Sequence, residues 1–193
     1  MNPKILIILL IAIVLGGAGF YISQNLMPGE EKNILTGESE TPGNILVKDD
    51  FSIEVPEGWK EASAPVGVSA MVVNVDEEVT DPAAKKINFK SYFSVTYDVL
   101  QGKTQEEYPQ YLKESLVDSV PGVEFAGEGA LEGKNAYAIE ADISQQGADF
   151  RIWLVVYKGA GDGMWIVSFN TPRSSWESYK DLFHQTAASF QVK

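Results

Sequence analysis

Cysteine is absent from this sequence of 193 residues, and histidine occurs once, as His184. Without cysteine there is no disulfide, no thiolate nucleophile and no cysteine-ligated metal, so side-chain packing must hold the fold together. One histidine can still act as a base, but it cannot build a histidine-containing zinc cluster or a metalloprotease motif. We interpret His184, which follows Phe183, as a surface or boundary residue and predict no metal and no cofactor.

Basic residues are also scarce, because 15 Lys and Arg stand against 27 Asp and Glu and give a formal net charge of -12. Nucleic-acid binding and electrostatic docking on anionic lipid both need clustered Lys and Arg, so the composition argues against both. The hydrophobic share of 45% is that of a globular chain. The length allows one domain of ordinary size plus a modest appendage.

A long apolar run lies near the amino terminus. Residues 5–22 contain no charged side chain, whereas Lys4 precedes them. As a helix this run would span roughly 27 Å, close to the hydrocarbon thickness of about 30 Å. We predict an uncleaved single-pass anchor over residues 1–26 in the cell membrane, with the amino end in the cytoplasm and the C-terminal domain on the extracytoplasmic side. The alternative is a cleavable signal peptide, for which the small residues at 16–19 offer a cleavage site.

Residues 27–44 are rich in Pro, Gly, Glu, Ser and Thr. This composition is typical of a flexible acidic linker with a reach on the order of 25 Å. We therefore expect the globular domain over residues 45–193.

A long β-hairpin over residues 150–170 is the strongest β pattern in the sequence. Two apolar runs, FRIWLVVY and MWIVSFN, flank the glycine-rich turn KGAGDG. Both faces of the first run are apolar, so both need cover from other parts of the chain. We predict further strands at residues 45–47, 51–55, 66–75 and 91–100, and an antiparallel meander over 123–143 that turns at Glu132.

Side-chain alternation predicts which faces are buried. Phe51, Ile53 and Val55 share one face, and Trp59 is expected to close the end of that strand over the core. In residues 91–100 we expect the apolar set to face the core, with the more polar set opposite; these are Phe93, Val95, Tyr97 and Val99 against Tyr92, Ser94, Thr96 and Asp98.

Two capping boxes predict two helices. Thr104 and Glu107 form the first, although Pro109 indicates that the regular helix begins there, after a looser turn. Ser174 and Glu177 form the second. The expected apolar faces are Tyr108, Tyr111, Leu112, Leu116 and Val117 in the first helix, and Tyr179, Leu182, Phe183, Ala187 and Phe190 in the second. The fold class is therefore α+β, an antiparallel sheet flanked by helices.

The run F-S-I-E-V-P-E-G-W at residues 51–59, followed by strand, amphipathic helix, meander and a Trp-containing C-terminal helix, resembles the PsbP family over most of residues 45–193. The resemblance implies an α/β/α sandwich. The family includes the extrinsic protein of photosystem II, bacterial envelope lipoproteins and Ran-binding proteins of the same fold, mostly binding or assembly proteins rather than enzymes. This sequence departs from the lipoproteins because an apolar segment stands where they carry a lipidated cysteine.

Several residue groups are candidates for chemistry, and each has a simpler interpretation. Ser69 lies in G-V-S-A-M, which lacks the last glycine of a nucleophile elbow. The glycines of residues 158–163 precede a strand rather than a helix, so we interpret them as a turn and not a phosphate loop. The densest acidic group lacks the ligand spacing of a calcium loop, and we interpret it as a solvated loop whose cation binding the sequence leaves open; it comprises Asp76, Glu77, Glu78 and Asp81.

Two further groups lie on predicted strands. Glu140 and Asp142 share a strand face, which we expect to be exposed rather than to form an acid/base pair. Four aromatic side chains of the hairpin are assigned to the core first and to a ligand groove second; they are Trp153, Tyr157, Trp165 and Phe169.

These observations assign no catalytic residue. We predict a non-catalytic, membrane-tethered domain that binds a protein partner or supports assembly of an envelope complex. The alternative is a carrier or sensor of a small apolar ligand held in a groove between sheet and helix, and an enzyme ranks third.

Overall fold

The structure is a computed structural model that describes residues 44–193. The predicted anchor, and all but the last residue of the predicted linker, lie outside this range. No helix within the described range has the length and apolarity to cross a membrane. In chain order the elements are β1 (Asn44–Val47), β2 (Phe51–Val55), β3 (Trp59–Ala62), β4 (Ala70–Asn74), α1 (Pro82–Lys86), β5 (Tyr92–Val99), α2 (Tyr108–Ser119), β6 (Glu124–Ala130), β7 (Ala136–Gln145), β8 (Ala148–Lys158), β9 (Gly163–Pro172), α3 (Trp176–Ser189) and β10 (Gln191–Val192).

The larger of two sheets has seven strands in the order β3-β4-β5-β9-β8-β7-β6, and every neighbouring pair is antiparallel. The predicted hairpin is confirmed as β8 and β9, in a register that runs from Phe150 opposite Pro172 to Lys158 opposite Met164. The turn between them is tight at Gly163, where an added Cβ would lie 2.8 Å from the hydroxyl of Tyr97. The predicted meander is confirmed as β6, β7 and β8.

Both faces of the large sheet are covered, as the apolar faces of β8 require. Phe150, Ile152 and Leu154 belong to a core that includes Ala84 of α1 and Leu112 of α2. The alternate β8 side chains belong to a second core on the opposite face; its members include Trp153, Val155, Tyr157, Phe51 and Ile53 of β2, and Phe183 of α3. The predicted antiparallel sheet flanked by helices is therefore confirmed.

A second, three-stranded sheet in the order β1-β2-β10 was not predicted. It packs with α3 on one face of the large sheet, because Phe51 and Ile53 are buried there. β10 pairs antiparallel with β2, with Gln191 opposite Ser52. The two ends of the described chain therefore meet in one small sheet.

The predicted single inner face of β5 is wrong along the whole strand, because the more polar set is buried as well: Tyr92, Ser94, Thr96 and Asp98. Tyr97 and Val99 are 45% and 37% exposed, whereas Asp98 and Thr96 are buried. The helix α2 covers Asp98, because its Tyr108 donates the hydroxyl hydrogen to Oδ2 of Asp98 at 2.6 Å. A buried carboxylate needs a hydrogen-bond donor, and the Tyr108 hydroxyl supplies one.

The first capping box forms as predicted, one turn before the regular helix. Thr104 N–H donates to Glu107 Oε2 at 2.8 Å, and Glu107 N–H donates to the Thr104 hydroxyl at 3.3 Å. The helix α2 then begins at Tyr108, one residue before the expected start. Its predicted face is confirmed except at Val117, which is 55% exposed.

The second capping box is wrong. Arg173–Ser175 form a 3-10 turn, and α3 starts at Trp176 after Ser175, whose side chain makes no capping hydrogen bond. The 3-10 turn fills the positions that the box would need, so the helix starts later than the sequence pattern indicates.

Candidate interaction surface

The acidic loop is organised by two of its carboxylates. Asp81 accepts hydrogen bonds from the N–H groups of Ala83 and Ala84 at 2.9 and 2.8 Å and so caps α1. Glu77 is 8% exposed and accepts from the Ser91 hydroxyl at 2.8 Å. The expectation of a solvated loop is therefore wrong for Glu77, whereas Asp81 is half-buried and Asp76 and Glu78 are exposed. Within residues 44–193, no group of three acidic or histidine side chains is placed to hold a metal.

Glu140 and Asp142 are partners of one arginine rather than an exposed carboxylate pair. Arg151 on β8 donates Nη2–H to Oδ2 of Asp142 at 2.8 Å and also bonds Glu140. Its guanidinium carbon lies 5.4 Å from the ring centre of Trp176. The hydrogen bond to Asp142 raises the pKa of Arg151, whose guanidinium is charged in any case. The expectation of an exposed sheet face is wrong here.

The four hairpin aromatics pack in the core, which confirms their first assignment. Trp153, Tyr157, Trp165 and Phe169 are each at most 5% exposed. Phe183 and Phe190 fill the space beside them, with ring centres 4.9 Å from Phe169 and 4.6 Å from Tyr157. Tyr157 also donates its hydroxyl hydrogen to the Ala187 carbonyl at 2.6 Å. Rings and helix therefore occupy the place that the alternative ligand groove would need.

The strand β6 is the most exposed long strand of the large sheet. It ends the strand order, and six of its seven residues are exposed, with Gly129 half-buried. Edge strands present backbone N–H and C=O groups that no neighbouring strand satisfies. The sequence predicts this strand, but sequence alone gives no signal that it lies at an edge.

A β-bulge in β6 sets the direction of its larger side chains. Phe125 lies opposite Ala141 and Gly127 opposite Glu140, so the register shifts by one residue between them. Such a shift re-aims the side chains that follow it. As a result Phe125 and Glu128, three positions apart, both face α2.

Lys113 of α2 contacts both of these side chains. Its ammonium group bonds Oε2 of Glu128 at 2.6 Å and lies 5.9 Å from the ring centre of Phe125. The hydrogen bond from Lys113 lowers the pKa of Glu128, which keeps that carboxylate ionised. Val117, one turn further along α2, lines the same cleft as Phe125.

Two clefts flank Lys113, and we call them, together with β6 and the outer side of α2, the α2–β6 surface. The first has a volume of about 490 Å³ and ends on Val156 and Met164 of the core. The second has a volume of about 350 Å³ and includes Val117 and Phe125. The first also offers polar groups, since Gln105 donates its side-chain amide to Asn135 at 2.9 Å at its rim. The surface therefore combines exposed apolar groups with hydrogen-bonding groups.

The α2–β6 surface is acidic. Lys113 is bound to Glu128, and Lys134 reaches toward the carbonyl of Phe190 at 3.4 Å. Beyond that pair, exposed acidic side chains surround the clefts and β6: Glu106, Glu114, Asp118, Glu124 and Glu132. A partner of positive charge would complement this field.

Comparison with known proteins identifies the fold. No family model matches this chain, and no curated protein matches it. Among solved structures it is similar to cyanobacterial PsbP from Synechocystis, at 15% identity and a TM-score of 0.55 over 83% of this chain and 99% of that one. It is also similar to the Ran-binding protein Mog1p of Saccharomyces cerevisiae, at 16% identity and a TM-score of 0.55 over 78% and 96% of the two chains. The predicted PsbP-like fold is thus confirmed.

Proposed function

We propose that this protein is a non-catalytic, membrane-tethered domain that binds a protein partner outside the cytoplasm through the α2–β6 surface. The observation that carries the proposal is the exposed edge strand β6 beside the exposed side chains of Val117 and Phe125. Apolar side chains in open clefts with a charged rim are typical of protein-binding surfaces. The likeness to a Ran-binding protein is in line with a binding role on this fold.

The alternatives receive less support from the described residues. A carrier of a small apolar ligand needs an enclosed apolar cavity, whereas the clefts at α2 are open and lined with Gln105, Glu106 and Lys113. An enzyme needs free acid, base or nucleophile groups in a cleft. Glu77, Asp81 and Asp142 are instead held in structural hydrogen bonds.

The tether is the part of the proposal that comes from sequence. Residues 5–22 are uncharged and long enough to span a bilayer, and the linker composition of residues 27–44 suits a flexible connection. The first strand begins at Asn44, where that linker is predicted to end. A tether of this kind holds the domain within reach of membrane-bound partners.

Site-specific photo-crosslinking tests the surface. A photoreactive phenylalanine analogue is placed at Val117 or at Phe125 in the full chain, expressed in its own host, and Glu57 serves as the control position. Glu57 is exposed and precedes β3, at the opposite edge of the sheet. We expect the same crosslinked protein from both surface positions and none from Glu57. Equal crosslinking from Glu57, or none from the α2–β6 surface in its own host, would contradict the proposed function.

A further inference from the structure

The hydrogen bonds between β6 and β7 determine which backbone groups of β6 point away from the sheet. Leu131 donates its N–H to the Ala136 carbonyl at 3.0 Å, across the end of the β6–β7 pair. In an antiparallel pair, residues alternate between those that bond the neighbouring strand and those that point away from it. Ala130 lies opposite Tyr137, so Leu131 and every second residue before it, as far as the bulge, bond β7. Gly129 therefore bonds β7, whereas Ala130 and Glu128 direct their N–H and C=O groups outward.

The other edge strands of residues 44–193 are shorter. β3 and β1 each have four residues and β10 has two, against seven in β6. Glu61 of β3 is also bound to Lys48 at 2.6 Å, which places a side chain from the small sheet against that edge. Of these edges, β6 offers the longest row of outward backbone groups.

We propose that β6 accepts an extended, basic segment of the protein partner as an added strand of the large sheet. This inference rests on the proposed function and specifies how the α2–β6 surface binds. In strand addition, main-chain hydrogen bonds hold the peptide, and alternate side chains enter pockets on one face of the sheet. On the α2 side of an added strand, those side chains would meet the second cleft, which Val117 and Phe125 line.

The negative charge at the β6 edge favours a basic peptide segment. Glu124 lies on β6 itself, and Glu132 follows it in the turn, so a lysine- or arginine-rich segment would be attracted. A second copy of this chain is disfavoured. Antiparallel pairing of two β6 strands would bring Glu124 and Glu132 of one copy close to those of the other, and like charges across a strand pair are destabilising.

The test uses the full chain in mild detergent and two end-capped heptapeptides, one alternating valine with lysine and the other alternating valine with glutamate. Amide hydrogen exchange followed by mass spectrometry reports which strand becomes protected. We expect the lysine peptide to slow exchange in residues 124–130 and the glutamate peptide to leave it unchanged. Protection at β1 or β3 instead of β6, or an equal response to both peptides, would overturn the proposal.

Matched variants identify the mode of binding. Ala130→Pro removes one outward N–H, which proline cannot replace, whereas Ala130→Ser keeps it. We expect Ala130→Pro to raise the Kd of the lysine peptide about tenfold, and Ala130→Ser to leave it unchanged. Glu124→Lys should raise this Kd as well, whereas Glu57→Lys, with the same change of net charge, should not. Unchanged binding in Ala130→Pro would overturn strand addition, and unchanged binding in Glu124→Lys would overturn the basic occupant.

The crosslinking experiment separates this inference from the proposed function. If the analogue at Val117 captures as much partner in the Ala130→Pro variant as in the parent, the α2–β6 surface binds a protein without strand addition, and this inference is wrong. If capture is lost in Ala130→Pro and retained in Ala130→Ser, both proposals stand. A dimer of the unliganded chain that Ala130→Pro dissolves, measured by sedimentation, would show that the occupant is a second copy and overturn the basic partner.

Discussion

Trp59, the last residue of the sequence motif at 51–59, is buried in the core as predicted. It is 5% exposed, and its ring centre lies 6.2 Å from that of Phe93 on the sheet and 6.1 Å from that of Phe183 on α3. The turn before it needs Gly58, whose φ of 79° lies in the left-handed region. The side chain therefore joins the large sheet to its covering helix, as a plug rather than an exposed contact.

Trp59→Ala should destabilise the domain by about 3–5 kcal/mol, because removal of a buried tryptophan loses its packing and leaves a cavity. Urea unfolding of residues 44–193 should show a large fall in midpoint with little change in slope. Glu57→Ala, in the same turn but exposed, is the control and should change stability by no more than about 0.5 kcal/mol. A parental midpoint for Trp59→Ala would show that the side chain does not act as a plug.

His184 gives the domain a pH dependence. Its ring stacks on Trp153 with ring centres 4.4 Å apart and planes 9° apart. Burial against this ring lowers the pKa of His184, and Lys180 lowers it further, while Asp181 and Glu140 act in the opposite direction. The folded state thus favours the neutral imidazole. Between the folded pKa and the ordinary value of about 6.5, the unfolded chain binds more protons.

The stability that His184 contributes should therefore be present above about pH 6.5 and be lost as pH falls through the folded pKa. The measurement is the unfolding free energy of the parent and of His184→Gln at a series of pH values. We expect the difference between the two proteins to shift in favour of the variant on acidification. A difference that is constant with pH would mean that the imidazole is equally solvated in both states.

At the scale of elements, an ion-pair cluster joins β7 and β8 to the start of α3. Arg151 bonds Glu140 and Asp142, and Nε of Arg173 lies 3.3 Å from Oδ2 of Asp142. The side chains of Arg151 and Asp142 are each 12% exposed, so water screens this pair poorly. Removal of one partner from a buried pair leaves a charge without compensation.

Arg151→Met should cost about 3–5 kcal/mol of unfolding free energy, the usual loss when one partner of a buried ion pair is removed. Lys48→Met is the matched control, because its pair with Glu61 is exposed, and the expected cost is about 0–1 kcal/mol. Chemical denaturation of both variants measures the difference. Equal costs would indicate that Arg173 takes over the neutralisation of Asp142.

Local patterns predicted most elements because their causes are local. The β8–β9 hairpin follows from two apolar runs around a glycine turn, and the contact between Thr104 and Glu107 follows from their spacing. The small sheet was missed because β10 has two residues and pairs with a strand far away in the chain. A periodicity needs more residues than that to be visible.

Burial of polar groups and exposure of edges depend on tertiary contacts, and the sequence did not predict them. Asp98 is buried because Tyr108 of a later helix bonds it, and Asp142 because Arg151 lies opposite. The α2–β6 surface depends on strand order and on a bulge, neither of which has a sequence signal here. The candidate site was therefore visible only in the structure.

At the scale of the whole molecule, the proposed tether makes a direct prediction. The full chain should stay in the membrane fraction after an alkaline carbonate wash, because residues 5–22 can span a bilayer. Ile13→Arg, which adds a charge in the middle of this run at a cost of about 2.5–3.5 kcal/mol, should shift protein toward the supernatant. Recovery of a mature form that begins after Ala18 or Gly19 would show a cleaved signal peptide instead.

The small sheet also bears on the order of events during biosynthesis. Phe190 is 2% exposed, and its ring stacks on that of Phe51 with centres 5.6 Å apart. The ribosome synthesises the chain from its amino end, so Phe51 is made early. Its contact with Phe190 cannot form until almost the whole domain has been translated. Contacts so distant in sequence form slowly. In the interval the newly made β2 strand exposes Phe51 and Ile53, so the second core is complete only after the last strand has been made.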